Sequence, residues 1–127
     1  MKPLPPLTGH ASEVLALAFA PGAPVLASGS RDRSARLWRL DSGASPALAS
    51  HRGPVHGAAF SPDGTRLATG CGDMLARVWD GRTGENLLTC AGPMGALEVV
   101  AFTPDGARLC AGWNMWSFGH ISLWDAF

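Results

Sequence analysis

The chain has 127 residues, 46% of them hydrophobic and 16% charged, with ten Lys and Arg balancing ten Asp and Glu. That length suits one small domain with a core of its own, and the composition excludes a disordered chain. Zero net charge excludes a global field that would draw the chain to nucleic acid or to a membrane surface.

In chain order, Leu4 to Thr8 reads as an extended segment. Pro3, Pro5 and Pro6 lack backbone donors, so it either pairs at a sheet edge or has no fixed structure. Gly9-His10 follows, and then strands are predicted over Val14 to Phe19, Val25 to Ser28, Ala35 to Leu40 and Pro46 to Ala49. Pro21-Gly22, Ser30 to Arg33 and Asp41-Ser42-Gly43 supply the turns between them. The phrase then repeats from Ser50-His51, with strands over Val55 to Phe60, Arg66 to Thr69, Ala76 to Trp79 and Asn86 to Cys90. A third copy opens at Gly92-Pro93 and places strands over Leu97 to Phe102, Arg108 to Ala111 and Ile121 to Trp124.

Phe19, Phe60 and Phe102 stand 41 and 42 residues apart, and Pro21, Pro62 and Pro104 keep the same spacing. Asp32-Arg33-Ser34-Ala35-Arg36-Leu37-Trp38 returns as Asp73-Met74-Leu75-Ala76-Arg77-Val78-Trp79 and survives as Ile121-Ser122-Leu123-Trp124-Asp125. Phe to Trp is 19 residues in the first two copies and 22 in the third, which places three extra residues within Trp113 to His120. Turn signals every 8 to 12 residues, with no sustained 3.6-residue apolar period, make the chain all-β.

Four short strands per repeat, with a Gly-His entry and a Trp-Asp exit, resemble the WD40 repeat of β-propellers. The resemblance covers about Thr8 to Asp125. It implies a partial propeller of three four-stranded antiparallel blades, the last lacking its outer strand, in a single 1–127 array with repeats at about 8–49, 50–91 and 92–127. The segment before Gly9 would, in such a fold, serve as a fourth strand for another blade. The resemblance also implies a polar chain of Trp, hydroxyl, His and Asp on one face of each blade. The first copy supplies Trp38, Ser34, His10 and Asp32. The second keeps Trp79, His51 and Asp73, but Leu75 at the hydroxyl position is expected to break the relay. The third keeps Trp124 alone, with Pro93 in place of His.

His10, Ser34 and Asp32 have the residue types of acid-base chemistry, but a hydroxyl donating inside a rigid core is no nucleophile, and a structural role is expected. His51 and His56 lack a third ligand, so no metal is expected. There is no phosphate-binding glycine loop, nucleophile elbow or basic stripe, and no cofactor is expected. The three cysteines match no zinc spacing and sit in apolar contexts, as free thiols of a reducing compartment do. No apolar run approaches the ~20 residues of a bilayer span, and Met1 to Pro6 has no apolar core of a secretory leader. An intracellular chain, cytoplasmic or nuclear, is expected.

By resemblance, exposed partner-binding positions lie three and five residues after the His and one before the Asp. These are Glu13, Leu15 and Arg31, then Pro54, His56 and Gly72, then Ala96 and Glu98. Trp113 and Trp116, in the inserted loop Trp113 to His120, either join a binding patch or cover the third blade in place of its lost His and Asp. The expected function is a non-catalytic protein or peptide interaction module or scaffold subunit, with a shortened form of a longer propeller protein among the readings left open. Self-association or association with further blades are the expected ways to cover its ends. The alternatives are an enzyme using the propeller face or a nucleic-acid-binding propeller, and neither finds its residues here.

Overall fold

The structure, a computed structural model, describes residues 1–48, 51–93 and 95–126. Eleven strands occur among them: β1 (Val14–Phe19), β2 (Val25–Ser30), β3 (Ala35–Arg39), β4 (Ala47–Leu48), β5 (Val55–Phe60), β6 (Arg66–Cys71), β7 (Leu75–Asp80), β8 (Asn86–Ala91), β9 (Ala96–Phe102), β10 (Arg108–Met115) and β11 (Phe118–Asp125). They form three antiparallel meanders, β1-β2-β3-β4, β5-β6-β7-β8 and β9-β10-β11. The architecture is an open arc of a β-propeller, with β11 at the edge of the third blade. Ala49, Ser50 and Phe127, on which the expected repeat boundaries fall, lie outside the described residues.

The same hairpin chemistry sets each first turn. Ala20, Ser61 and Thr103 each donate a backbone N–H, at 2.9 Å, to Val25, Arg66 and Arg108. Asp63 and Asp105 hold the second and third of these turns by accepting from Ser61 and Thr103 hydroxyls and from the Thr65 and Ala107 amides. These bonds pull the Asp63 carboxyl down to about 2.

Leu4 to Thr8 is exposed and does not pair at a sheet edge, in keeping with three prolines that lack N–H groups. One feature departs from the sequence expectation. Trp113 to His120 is not a loop. β10 and β11 pair continuously from Arg108↔Asp125 to Met115↔Phe118 around the two-residue turn Trp116-Ser117, with Trp116 at φ 57. The extra residues lengthen a hairpin instead of bulging from it, because each added pair satisfies its own backbone groups.

The blades stack in one sense. Each presents its tryptophan face to the small-residue face of the blade before it. Val55, Leu67 and Trp79 pack on Ala27, Ala35 and Leu37, and Leu97, Leu109, Ala111 and Trp113 pack on Ala68, Ala76 and Val78. A glycine on each middle strand admits the contact. A Cβ on Gly29 would lie 2.6 Å from Val55 Cγ1, and one on Gly70 3.0 Å from Leu97 Cγ. Val55 and Leu97 are fully buried as a result. Burial on this scale contributes about 1.5–3 kcal/mol for each such side chain.

The Gly29→Ala variant should therefore force the first two blades apart. We expect a loss of about 1–3 kcal/mol in urea unfolding, the usual cost of overpacking a core. An unchanged unfolding midpoint would show that the blades do not approach this closely.

Candidate functional site

The first blade builds a continuous polar relay. Trp38 Nε1–H donates to Ser28 Oγ (2.8 Å), which leaves the Ser28 hydroxyl proton to donate to His10 Nε2 (2.6 Å). His10 Nδ1–H then donates to Asp32 Oδ2 (2.9 Å). The tautomer follows from donor accounting, since the indole can only donate and the carboxylate only accept. Asp32 also accepts from the Ala11 amide (2.9 Å), from the Ser34 amide (2.9 Å) and from the Ser34 hydroxyl (2.6 Å). Burial pushes this carboxyl up, but the hydrogen bonds from Ser34, Ala11 and His10 outweigh burial and hold it well below the usual carboxylate range.

The hydroxyl expected at Ser34 is thus corrected to Ser28. Ser34 lies on the β2–β3 loop beside Asp32 and buttresses the carboxylate. Ser28, on the central strand, lies two residues beyond Leu26, the cross-strand partner of Trp38. The available signal was the offset, because a hydroxyl stands ten residues before the tryptophan in both of the first two repeats.

That offset also corrects the second blade. Leu75 does not break the relay at the hydroxyl, because Thr69 supplies it. Trp79 Nε1–H donates to Thr69 Oγ1 (2.9 Å), which stands 2.9 Å from His51 Nε2. The break falls one link later. Asp73 turns to Arg77 in a buried ion pair of 2.6 Å, and His51 Nδ1 has no hydrogen-bond partner of good geometry among the described residues. Burial would raise the Asp73 carboxyl, but the Arg77 guanidinium holds it below its ordinary value. Burial and the Arg77 charge push His51 down to about 4.

In the third blade, Leu109 pairs with Trp124 as Leu26 pairs with Trp38, so Ala111 occupies the hydroxyl position and no relay can form. Trp113 fills the space instead. Its ring lies so close over Gly92 that a Cβ there would be 2.0 Å away, and it meets Trp124 edge to face at 6.2 Å. Its buried Nε1–H has no hydrogen-bond partner among the described residues.

The candidate partner-binding residues sort unevenly. Glu13 and Arg31 are exposed and joined by a 3.0 Å ion pair. Gly72 donates its amide to the Pro54 carbonyl (2.8 Å), with His56 alongside, and all three are half-buried. Leu15 and Ala96 are half-buried, and Glu98 is exposed. Trp113 is corrected from a candidate contact to a core residue at 2% exposure, while Trp116 is 96% exposed. Phe118, not singled out from sequence, is 70% exposed beside it. The β10–β11 turn is the counterpart of the β2–β3 and β6–β7 loops, so Trp116 stands at the same end of the array as Arg31 and Gly72. Among the described residues no group of three His, Cys, Asp or Glu side chains has metal-site geometry, and no helix is long and apolar enough to cross a membrane.

This repeated Trp-hydroxyl-His geometry on stacked four-stranded blades defines a WD-repeat protein. The WD domain, G-beta repeat, matches residues 1–39 and 45–80, more than half of the chain, and the chain belongs to this family. The WD40 repeat-containing protein HOS15 of Arabidopsis thaliana is 51% identical over 41 residues, which is 32% of this chain and 7% of that protein. The chain therefore matches only a small part of that relative's length. Domains of this family are, in general, protein-interaction modules.

Two measurements test the relay. Ser28→Ala leaves the buried Trp38 N–H without its acceptor, and we expect a loss of about 1–3 kcal/mol in urea unfolding, largely recovered by Ser28→Thr. His51 behaves differently. Its folded value of about 4 lies below the 6.5 of the ordinary side chain. The unfolded chain therefore takes up a proton at a pH where the folded one does not. Its contribution is complete above about pH 7 and is lost as pH falls toward 4, by about 2–3 kcal/mol. A His51→Gln variant should flatten stability across that window, and equal slopes for the two proteins would refute the assignment.

Proposed function

We propose that residues 1–127 form one three-repeat, non-catalytic module that binds a protein or peptide at the end carrying the His10 and His51 loops. The observation that carries this reading is the lengthened β10–β11 hairpin, which holds Trp116 and Phe118 out from a paired, rigid base. Exposed aromatic side chains on a preorganised support are favoured contact groups, because little conformational entropy is lost on binding. The Glu13–Arg31 pair at the same end adds a polar rim.

Support for the non-catalytic reading comes from Ser28. Although Ser28, His10 and Asp32 follow the order of a hydrolytic triad, the Ser28 oxygen accepts the Trp38 indole proton and the residue is 2% exposed. A nucleophile needs a path to substrate, and a hydroxyl buried to this degree and held by the indole offers none. The balance of ten basic and ten acidic residues supports a protein partner over a nucleic acid. Free thiols at Cys71, Cys90 and Cys110 support an intracellular setting, cytoplasmic or nuclear.

The test is selection of binders from a random peptide library displayed on phage, followed by affinity measurement at low and high salt. Binding should survive high salt, and Trp116→Ala should weaken it about 30-fold, as an aromatic hot spot of about 2 kcal/mol does. Arg31→Ala should weaken it less, and the unfolding midpoint should stay unchanged in both. Peptides indifferent to both substitutions would overturn the site. RNA or DNA binding that falls steeply with salt would overturn the partner class.

A further inference from the structure

The interface between successive blades occurs twice within the chain, and each of its halves is left over once. Val14 stands five residues before Phe19, as Val55 and Leu97 stand before Phe60 and Phe102. Val55 and Leu97 are 0% exposed on Gly29 and Gly70, but Val14 is 50% exposed. Leu17 and Phe19 beside it are 63% and 70% exposed. At the opposite end, Gly112 is the counterpart of Gly29 and Gly70 by register, pairing with Val99 as Gly29 pairs with Ala16 and Gly70 with Gly57. Among the described residues nothing is seated above Gly112. The nearest atom to a Cβ built there is Val99 Cβ at 3.6 Å, and a cavity of ≈ 400 Å³ opens over it. Val99 and Ile121, which line the cavity, are 62% and 77% exposed, and Leu123 on β11 is 55% exposed, where Ala35, Leu37, Ala76 and Val78 are 0%.

We propose that a second copy of this chain covers that face, seating its Val14 over Gly112 while its own Gly112 receives the first copy's Val14. The occupant is argued from the contact itself. The described residues carry both a knob, Val14, and a socket, Gly112, of an interface that they twice form internally, and each is uncovered among them. The rim is bulkier and more apolar than its internal counterparts, since Val99 and Ile121 stand where Ala16 or Gly57 and Ala35 or Ala76 stand elsewhere, so it narrows the socket to a small knob and adds apolar contact around it. Val14 matches the smaller of the two internal knobs, Val55. Such head-to-tail contacts either close or run on without limit. Two copies joined at both ends give six blades, within the about four to eight at which propellers close. The proposal concerns the two end faces, so its failure leaves the partner-binding end untouched.

Light scattering after size exclusion should give twice the 13.2 kDa of the chain for the unmodified protein. Gly112→Leu puts a side chain into the socket, where its Cβ would make only an ordinary 3.6 Å contact with Val99, and Val14→Asp charges the knob. Each should halve the mass while the far-ultraviolet spectrum stays β-type. A monomeric unmodified chain, an unlimited ladder of higher masses, or a dimer retained by both variants would overturn the proposal. Should either variant fail to fold, the double variant Val14→Cys with Gly112→Cys decides. A Cβ on Gly29 would lie 3.1 Å from Val55 Cβ, close to the ~3.5–4.5 Å of a disulfide. Mild oxidation should therefore link two copies in the double variant and in neither single one. No covalent dimer beyond that of the single variants would overturn it.

Discussion

Close approach of one blade's tryptophan face to the preceding blade's middle strand is the constraint from which the rest follows. The middle strand must carry a glycine where the neighbour's aliphatic knob lands, and small residues around it, hence Ala27, Ala35, Ala68 and Ala76 at 0% exposure. Interiors pack at near-crystalline density, so one methyl group at Gly29 or Gly70 has nowhere to go. The second blade meets this constraint on both faces. The first and third each meet it on one face only.

Burying tryptophan on that face creates a second obligation, because the indole N–H goes into the core with the ring. The three blades answer it in three ways. The first passes the hydrogen bond through Ser28 and His10 to Asp32. The second stops at His51 and uses its carboxylate to neutralise Arg77. In the third, an alanine replaces the hydroxyl and an aromatic pair replaces the relay, with Trp113 Nε1 unpartnered among the described residues. An unmet buried donor costs about 1–3 kcal/mol, and an edge-to-face pair returns about 0.5–1.5 kcal/mol beyond its burial. The third blade is thus the least favourably specified of the three.

The repeat was legible in the sequence because its turns and large apolar anchors are local. Phe19, Phe60 and Phe102, with a proline two residues on, mark each hairpin without any knowledge of pairing. The relay was less legible because its hydroxyl lies on a different strand from the rest of the motif. Ser34 is adjacent to Asp32 in sequence, whereas Ser28 reaches Trp38 only through the β2–β3 register. The same limit applies to Trp113 and Trp116. They are three residues apart, one facing the second blade and the other at the hairpin tip. Only the cross-strand register from Arg108 to Met115 separates core from surface.

The loss of the relay and the gain of an exposed aromatic tip have one physical origin. In the first two blades, Asp32 and Asp73 accept the amides of Ala11 and Arg52, which tie the β2–β3 and β6–β7 loops to the entry segments. Each also fixes its own tight turn, with Arg33 and Met74 held at φ 70. In the third blade, Phe118 stands six residues before its tryptophan, as the two aspartates stand before theirs. A phenyl ring accepts no amide hydrogen bond of that kind, so the hairpin is released from the entry loop and is free to lengthen. Backbone pairing then takes over from side-chain clamping, and the strands run on to Met115 and Phe118 before turning at Trp116. What the blade loses in polar specification it gains as a projecting surface of large apolar side chains on a paired support. That exchange is why the end of the array least like the repeat is also its best-built candidate for recognition.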